Sequence, residues 1–563
     1  MKRRHLIQNG VGLLTGLTLA QTLKACGGSP PSSPSSPGSS TGGSGGGSSS
    51  AAKTLTMVHG GGFPNSLDLH RVGTNRPAYG VSWVLYDRLM TFGKKERPDG
   101  SVSYDYTVLE PELAESWEFA PDGSAVTFTL REATFHDGKP VTAQDVKWSF
   151  DRAVSIGGFP SFQMKAGALE SPDQFEVVDE KTFRVKFLRP DKLTMIDLAV
   201  PIPVVINAEL VKPHLTDDDP WGTEWLNNNE AGSGAYQLGE FKPNERLTLT
   251  RFENWKSGPL PQIETVTILN VPEAGNRRAL LERGDIDVNF TLSEKDEKEL
   301  GEGGQFRLVS TPIENCLYSM DIHSNPTLNG VENPLGNVKV RQAIAYALPY
   351  DAILATAFYG QAIPLSNGTS ATPESLDWPQ PFPYTTDIEA AKKLLSESPY
   401  PNGFTTTIAF NMGTKEWAEP TVVLIQEALA KIGIVAEIEK VPDANFRSVL
   451  VEKSRPIIMN DFGGWLNYPD YFFFYAYHGQ DATFNGGSYK NPTMDAHIEA
   501  ALASKPGDPI YEKSVKSFIE LAWQEVPRIP LVQPTLAVAM QPNIEGYQYW
   551  FHRQLDFRQL RKV

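Results

Sequence analysis

The order of apolar and polar positions divides the chain before any motif is considered. A short apolar stretch from Val11 to Ala20 is diluted by Gly12, Gly16 and two Thr, and residues 27–52 are Ser, Gly and Pro almost without interruption. Patterned sequence begins at Thr54, where Thr54 to Val58 predicts a first strand ending at His59 and three glycines. Trp117 and Phe119 alternate, Pro121-Asp122-Gly123 supplies a turn, and Val126, Phe128 and Leu130 alternate again, which predicts a β-hairpin with one buried face. The period then changes. Thr142 with Asp145 three residues on predicts a capped helix start, and Val146, Phe150 and Ala153 share one face of that helix.

The same alternation returns near the C-terminal half. Pro420 to Gly433 carries Val423, Ile425, Ala428, Leu429 and Ile432 at helical spacing, with Gly433 as its stop. Ile434 to Val441, Thr405 to Phe410 and Pro456 to Met459 predict strands around it. Strand and helix alternate there, so an α/β sheet is expected.

Composition narrows the class. At 563 residues the chain is too long for one core, and 40% hydrophobic with 21% charged residues excludes a disordered body. No run after residue 26 reaches the ~18 apolar residues of a membrane helix. A formal net charge of −16 argues against nucleic acid or anionic lipid as a partner. Lys2, Arg3 and Arg4, the apolar stretch, and Leu23-Lys24-Ala25-Cys26 together resemble a bacterial lipoprotein signal over 1–25, ending before an acylated Cys26. Arg3-Arg4 also resembles a twin-arginine signal. Residues 26–52 are then a lipidated Cys and a tether of roughly 25 to 30 Å random-coil reach. With Cys26 acylated, Cys316 stands alone and no intramolecular disulfide forms.

One stretch stands out chemically. GGWLNYPDYFFFYAYH, Gly463 to His478, joins two permissive glycines, a Trp, an Asn and an Asp to an aromatic run. Trp465 offers a flat face and an N–H donor, and Gly464 allows close approach, so Trp465 to Asp470 are read as binding residues and Phe472 to Tyr477 as core. Arg455, shortly before this loop, is a candidate partner for a ligand carboxylate, with a plain surface Arg as the competing reading. His136 beside Asp137 sits in a turn between strand and helix and is read as structural. Beyond the tether there is no GxSxG, and the chain has no HExxH and no phosphate-binding Gly-Lys-Ser/Thr sequence. The nine His are scattered without a metal-ligand spacing, so no metal, cofactor or catalytic residue is expected. A hydrolase built on Asp and Glu pairs stays open, because such pairs meet only in space.

AESWEFAPDGSAVTFTLREATFHDGKPVTAQDVKWSFDR, Ala114 to Arg152, closely resembles the signature of the family 5 extracellular solute-binding proteins, the oligopeptide, dipeptide and nickel receptors of ABC importers. GSGAYQLGEF (Gly232 to Phe241), RRALLERGDIDV (Arg277 to Val288), NVKVRQAIAYALPYDAI (Asn337 to Ile353) and EVPRIPL (Glu525 to Leu531) extend the resemblance to the C-terminus. It implies a two-lobed type II periplasmic-binding-protein fold, α/β, with two hinge-crossing segments and an extra small domain. Lobe I would comprise 53–76, 172–310 and 527–563, the extra domain 77–171 and lobe II 311–526, with crossings near Ser310 and Val526.

The resemblance also implies function. Such a receptor closes on a solute and presents it to a membrane permease with ATPase subunits, as an exported, lipid-anchored monomer without cofactor. In peptide receptors of the family, a loop like this one covers the ligand with its Trp and pairs its first Asp with the peptide ammonium. Carried over, Trp465 is that Trp, Asp470 is the second acid, and Asn467 stands where the ammonium-binding Asp is expected, with Tyr468 beside it. Ser66-Leu67-Asp68 resembles a segment whose backbone edges the cleft, which makes Ser66 a candidate. An Asn amide offers only a dipole to a cation. A peptide or peptide-like ligand is therefore expected alongside non-peptide alternatives: opines, sugars, glutathione-like conjugates or metal chelates.

Overall fold

The computed structural model describes residues 53–97, 100–370, 372–480, 484–550 and 552–563. Two large sheets organise it. The first has seven strands, in spatial order Arg307–Pro312, Thr535–Met540, Val288–Phe290, Thr54–His59, Thr265–Leu269, Arg246–Arg251 and Tyr236–Lys242. Thr54–His59 runs parallel to both of its neighbours and lies at the centre, and Leu55, Met57 and Val58 are buried. A strand covered on both faces loses the apolar/polar alternation, which Thr54 to His59 shows only in part.

The second sheet has six strands, in order Ile363–Pro364, Arg528–Gln533, Cys316–Ile322, Ile457–Gly463, Thr405–Asn411 and Val435–Val441. The helix Lys415–Ala430 covers it with Trp417, Ala418, Val422, Ile425, Ala428 and Leu429. This helix starts five residues before the expected Pro420, which lies inside it, and Val423 faces outward. The stop is where the pattern put it: Gly433 takes a φ of +86°, a conformation that favours glycine.

The expected hairpin is present as Ala114–Phe119 against Ala125–Leu130, with Trp117 opposite Phe128. The helix after it spans Ala143–Ser155, and the Asp145 carboxylate accepts from both the Thr142 N–H and its hydroxyl. The hairpin belongs to a separate four-stranded sheet completed by Phe175–Val177 and Thr182–Lys186. That small sheet therefore continues past the boundary at 171. Its last strand pairs Val185 with Val126, a long-range match that local pattern cannot show.

The chain changes sheets twice. Arg307–Pro312 lies in the first sheet and Cys316–Ile322 in the second, so the outward change falls at 313–315. Arg528–Gln533 lies in the second sheet and Thr535–Met540 in the first, so the return falls at Pro534. The break at Val526 is something else. There the helix Pro509–Glu525 ends, Val526 takes a φ of +48° as its cap, and the chain enters a strand of the same lobe. A helix stop and a lobe crossing look alike along a sequence. The two true crossings are bonded together, with the Ile313 N–H donating to the Pro534 carbonyl at 2.9 Å and the Gln533 amide donating to the Ile313 carbonyl at 2.9 Å. Among the described residues no helix is long and apolar enough to cross a membrane.

Candidate functional site

The loop starts where the strand Ile457–Gly463 ends. Its glycines are required by space: a Cβ on Gly464 would lie 2.5 Å from the Tyr471 ring, and one on Gly463 would lie 2.8 Å from the Cys316 sulfur. Asn315, in the outward crossing, donates its amide to the Leu466 carbonyl at 2.8 Å and the Tyr468 carbonyl at 3.3 Å. The hinge and the loop are thus one hydrogen-bonded unit. The expected aromatic core segment forms the helix Pro469–Ala476, with Tyr471, Phe472, Phe473 and Tyr475 buried.

Trp465 is only 4% exposed. Its ring meets Tyr79 edge-on at 4.8 Å, Phe159 at 5.1 Å and His552 at 5.7 Å. Tyr79 belongs to the helix Arg76–Leu85 and Phe159 to the helix Gly158–Ala166, so the Trp bridges the second-sheet body and the elements around the first. Tyr471 extends this bridge by donating its hydroxyl to Gln163 Oε1 at 2.8 Å.

Asp470 is not open to a ligand. Fully buried, it accepts from Lys192 Nζ at 2.6 Å and the Tyr511 hydroxyl at 2.9 Å. Lys192 also donates to the Ala501 carbonyl at 3.0 Å, near the C-terminus of the helix Pro492–Leu502, where a cation is favoured. Tyr468 lies beneath Lys192, with Nζ 5.9 Å from its ring centre. Asn467 is half-buried, and its amide hydrogen-bonds the Tyr106 hydroxyl on the strand Val102–Pro111.

Two candidates lie elsewhere. Arg455 binds Glu439 through Nε and Nη2 at 2.8 to 3.1 Å, at the start of the seven-residue strand whose far end carries the loop. That places it roughly 20 Å from the loop, so it is a surface ion pair on its own lobe. Ser66 is buried, and its hydroxyl accepts from the Asp68 N–H at 3.0 Å; its role is to shape the chain around Asp68. Cys26 lies outside the described residues.

Sequence reasoning missed the cations beside the loop. Arg76 opens its helix and donates Nη1 to the His552 carbonyl at 2.7 Å. Arg553 follows, held at a φ of +59°, with Nη2 3.4 Å from the position of a Gly463 Cβ. His59 ends the central strand of the first sheet, and the Gly61 N–H donates to its Nδ1 at 2.8 Å. Asp461 is 4.0 Å from Arg553 and its side chain is 40% exposed. Burial, and then the Arg553 charge, lower Arg76 to about 9. Burial, and then Arg277, Arg76 and Arg553, hold His59 down at about 3. None of these residues forms a motif; they meet only because the strand Thr54–His59, the 552–553 turn and the loop converge.

The histidines make a testable case. His59 and His552 are held near 3 and His70 near 4, in each case chiefly by burial. A depressed folded value means that the unfolded chain binds protons first, so this stability is complete above about pH 6.5 and is lost as the pH falls towards 4. His136 has the opposite sign. Burial opposes its protonation, but its Nδ1 meets Glu230 at 2.8 Å and its Nε2 meets the Gly234 carbonyl at 3.0 Å, so the imidazolium is favoured and its contribution fades as the pH rises through its folded value. Burial also raises Asp87 and Glu294 to about 7 and Asp197 well above the usual carboxylate range, and these groups take up protons in the folded chain over the same window. The histidines' share is therefore read by difference: between pH 6.5 and 5 the thermal midpoint of the parent is expected to fall by at least a few degrees relative to that of a His59→Gln/His552→Gln variant. Scanning calorimetry in half-unit steps checks it, and a difference that stays flat over that window contradicts it.

Two α/β sheets joined by two cross-bonded connections, with an aromatic loop clasped between them and a small added sheet, define a two-lobed type II solute-binding protein. Residues 108–484 match the family model described as bacterial extracellular solute-binding proteins, family 5 middle. The chain belongs to that family. The glutathione-binding protein GsiB of Salmonella typhi is 28% identical over 451 residues, covering 77% of this chain and 82% of the relative. Its Escherichia coli O157:H7 counterpart is 27% identical over 454 residues, covering 78% and 83%. Among solved structures, AgaA from A.tumefacien R10, in complex with agropinic acid, shares the fold with a TM-score of 0.74 at 23% identity, over 91% of this chain and 99% of that one. DppA from Helicobacter pylori, in complex with the peptide STSA, does so with a TM-score of 0.75 at 21% identity, over 90% and 98%.

Proposed function

We propose that this protein is the capture component of an ABC importer and takes a peptide or peptide-like solute between its lobes. The observation that carries this reading is the convergence of both sheets on one polar interior, where His59 from the first and Asp461 from the second are joined by Arg76 and Arg553. A solute held there touches both lobes, so its affinity for the closed form sets how far closure goes. Relatives named for glutathione binding and a fold neighbour solved with a peptide support the ligand class. Lobe I is built on the seven-stranded sheet and lobe II on the six-stranded one, with the four-stranded sheet as the extra domain.

A non-peptide acid of the opine type is the second reading. It is favoured by the occupancy of the loop: Lys192 neutralises Asp470, and Asn467 carries no charge, so the loop offers no free carboxylate to an ammonium. In the proposed setting the protein is exported, anchored through a lipid on Cys26 at the end of the Ser/Gly/Pro tether, and acts as a monomer that delivers its solute to a permease and its ATPase subunits.

The test is to incubate the purified protein with a defined peptide mixture and follow both protein and peptides by mass spectrometry. Retention of intact peptides is expected. Cleaved peptides would replace the receptor reading with a hydrolase.

A further inference from the structure

Two cations gather at the 552–553 turn, and Asp461 is the carboxylate that acts on both. Arg76 and Arg553 both reach the 552–553 turn, and each is among the charges acting on the other or on His59. Arg76 spends one donor on the His552 carbonyl. Among the described residues, Arg553 Nε is buried without a hydrogen-bond partner, and the side chain's one ion pair is the long 4.0 Å approach of Nη1 to a half-exposed Asp461. Its backbone is held at a φ of +59°, a conformation that a non-glycine residue adopts at a cost and that concentrates at functional sites. Within the loop itself, Asp470 is engaged by Lys192 and Tyr511, and Asn467 by Tyr106. His59 adds no charge of its own: held neutral by burial and the nearby arginines, its Nδ1 accepts the Gly61 N–H, and among the described residues no metal-binding cluster exists.

Resting on the importer reading above, we propose that Arg76 and Arg553 form the specificity-determining end of the binding cleft and that the solute is an acidic one, an amino-acid-derived or peptide-like molecule of net negative charge whose carboxylate is received by the two guanidiniums. A planar guanidinium matches a carboxylate bidentately, and the match is strongest where both are partly withdrawn from water. The lowered proton affinity of Arg76 fits this arrangement, because an arriving anion offsets the repulsion from Arg553 that contributes to it. The same geometry disfavours basic solutes, which would place like charges together in a low-dielectric interior.

The experiment uses the whole mature chain and four probes titrated calorimetrically: glutathione, Glu-Glu, Ala-Ala and Lys-Lys. Acidic probes are expected to bind at least tenfold more tightly than Ala-Ala, and Lys-Lys more weakly still. Arg553→Gln and Arg76→Gln should each weaken the acidic probes by about tenfold to a hundredfold, the range of one charge-assisted pair, while changing Ala-Ala by less than threefold. Arg553→Lys should recover part of the loss, and unliganded melting of each variant confirms that it is folded. Lys-Lys binding as tightly as Glu-Glu, or undiminished acidic binding by both Gln variants, overturns the proposal.

Mass spectrometry of the solute that co-purifies separates the two readings. A non-peptide acid sustains the cation pair and removes the peptide reading; a neutral or basic peptide does the reverse. Binding of no probe together with no co-purifying solute overturns both.

Discussion

Asp68→Ala lowers the stability of the folded chain by about 3–5 kcal/mol, the cost of leaving a buried partner charge uncompensated. Asp68 and Arg152 form a two-pronged pair at 2.8 and 2.6 Å with both side chains fully buried. Arg152 is also bound to the Trp221 carbonyl at 2.9 Å, so it cannot swing out to water without releasing that chain segment. Asp68 additionally accepts the His70 N–H at 2.9 Å, which fixes the bend after Ser66. The loss should appear as a lower denaturant midpoint. Adding Arg152→Met should recover part of it, because the stranded guanidinium is then gone. A single variant as stable as the parent would mean that Arg152 finds another partner or water, and the pair would have no structural role.

The second large effect belongs to Asp470→Ala, which strands Lys192 against the Tyr468 and Tyr511 rings. Lys192 is 10% exposed, so some water reaches it and a cost near 3 kcal/mol is expected, at the lower end of the same range. Lys192 follows the last strand of the small sheet, whereas Asp470 starts the helix after the loop, so this pair ties two bodies together. Its loss should therefore also open the molecule, with a larger radius of gyration by small-angle scattering than Asp68→Ala gives. Lys192→Met combined with Asp470→Ala should restore much of the stability. An unchanged scattering profile would confine the pair to local packing.

How much was legible can be judged residue by residue. The hairpin through Pro121-Asp122-Gly123, the Thr142/Asp145 helix start and the Gly433 stop were all visible, because each depends on residues within a few positions of one another. Trp465 was singled out on composition. Its actual surroundings, Tyr79, Phe159 and His552, are between 87 and 386 positions away and carry no shared periodicity. Arg455 misled because nearness along the chain to a binding loop is undone by a single strand: its seven residues carry the two to opposite ends of the sheet. The resemblance put the return crossing near Val526, where the chain only breaks between a helix and a strand of the same lobe. Nothing local distinguishes that break from the change of sheet at Pro534.

The sequence by itself determined the α/β class and the position of the loop, since turn chemistry, capping and burial period are encoded in neighbouring residues, and its segments from Ala114 onward carried the family resemblance. Tertiary structure alone decided what the loop can do. Whether Asp470 is a free acid depends on Lys192, 278 positions earlier, and whether Asn467 faces a ligand depends on Tyr106. The cationic end at Arg76 and Arg553 exists only because a helix start and a C-terminal turn meet against a strand end. Charge acts through space in a weakly screening interior, and the chain's order along its length carries no record of those distances.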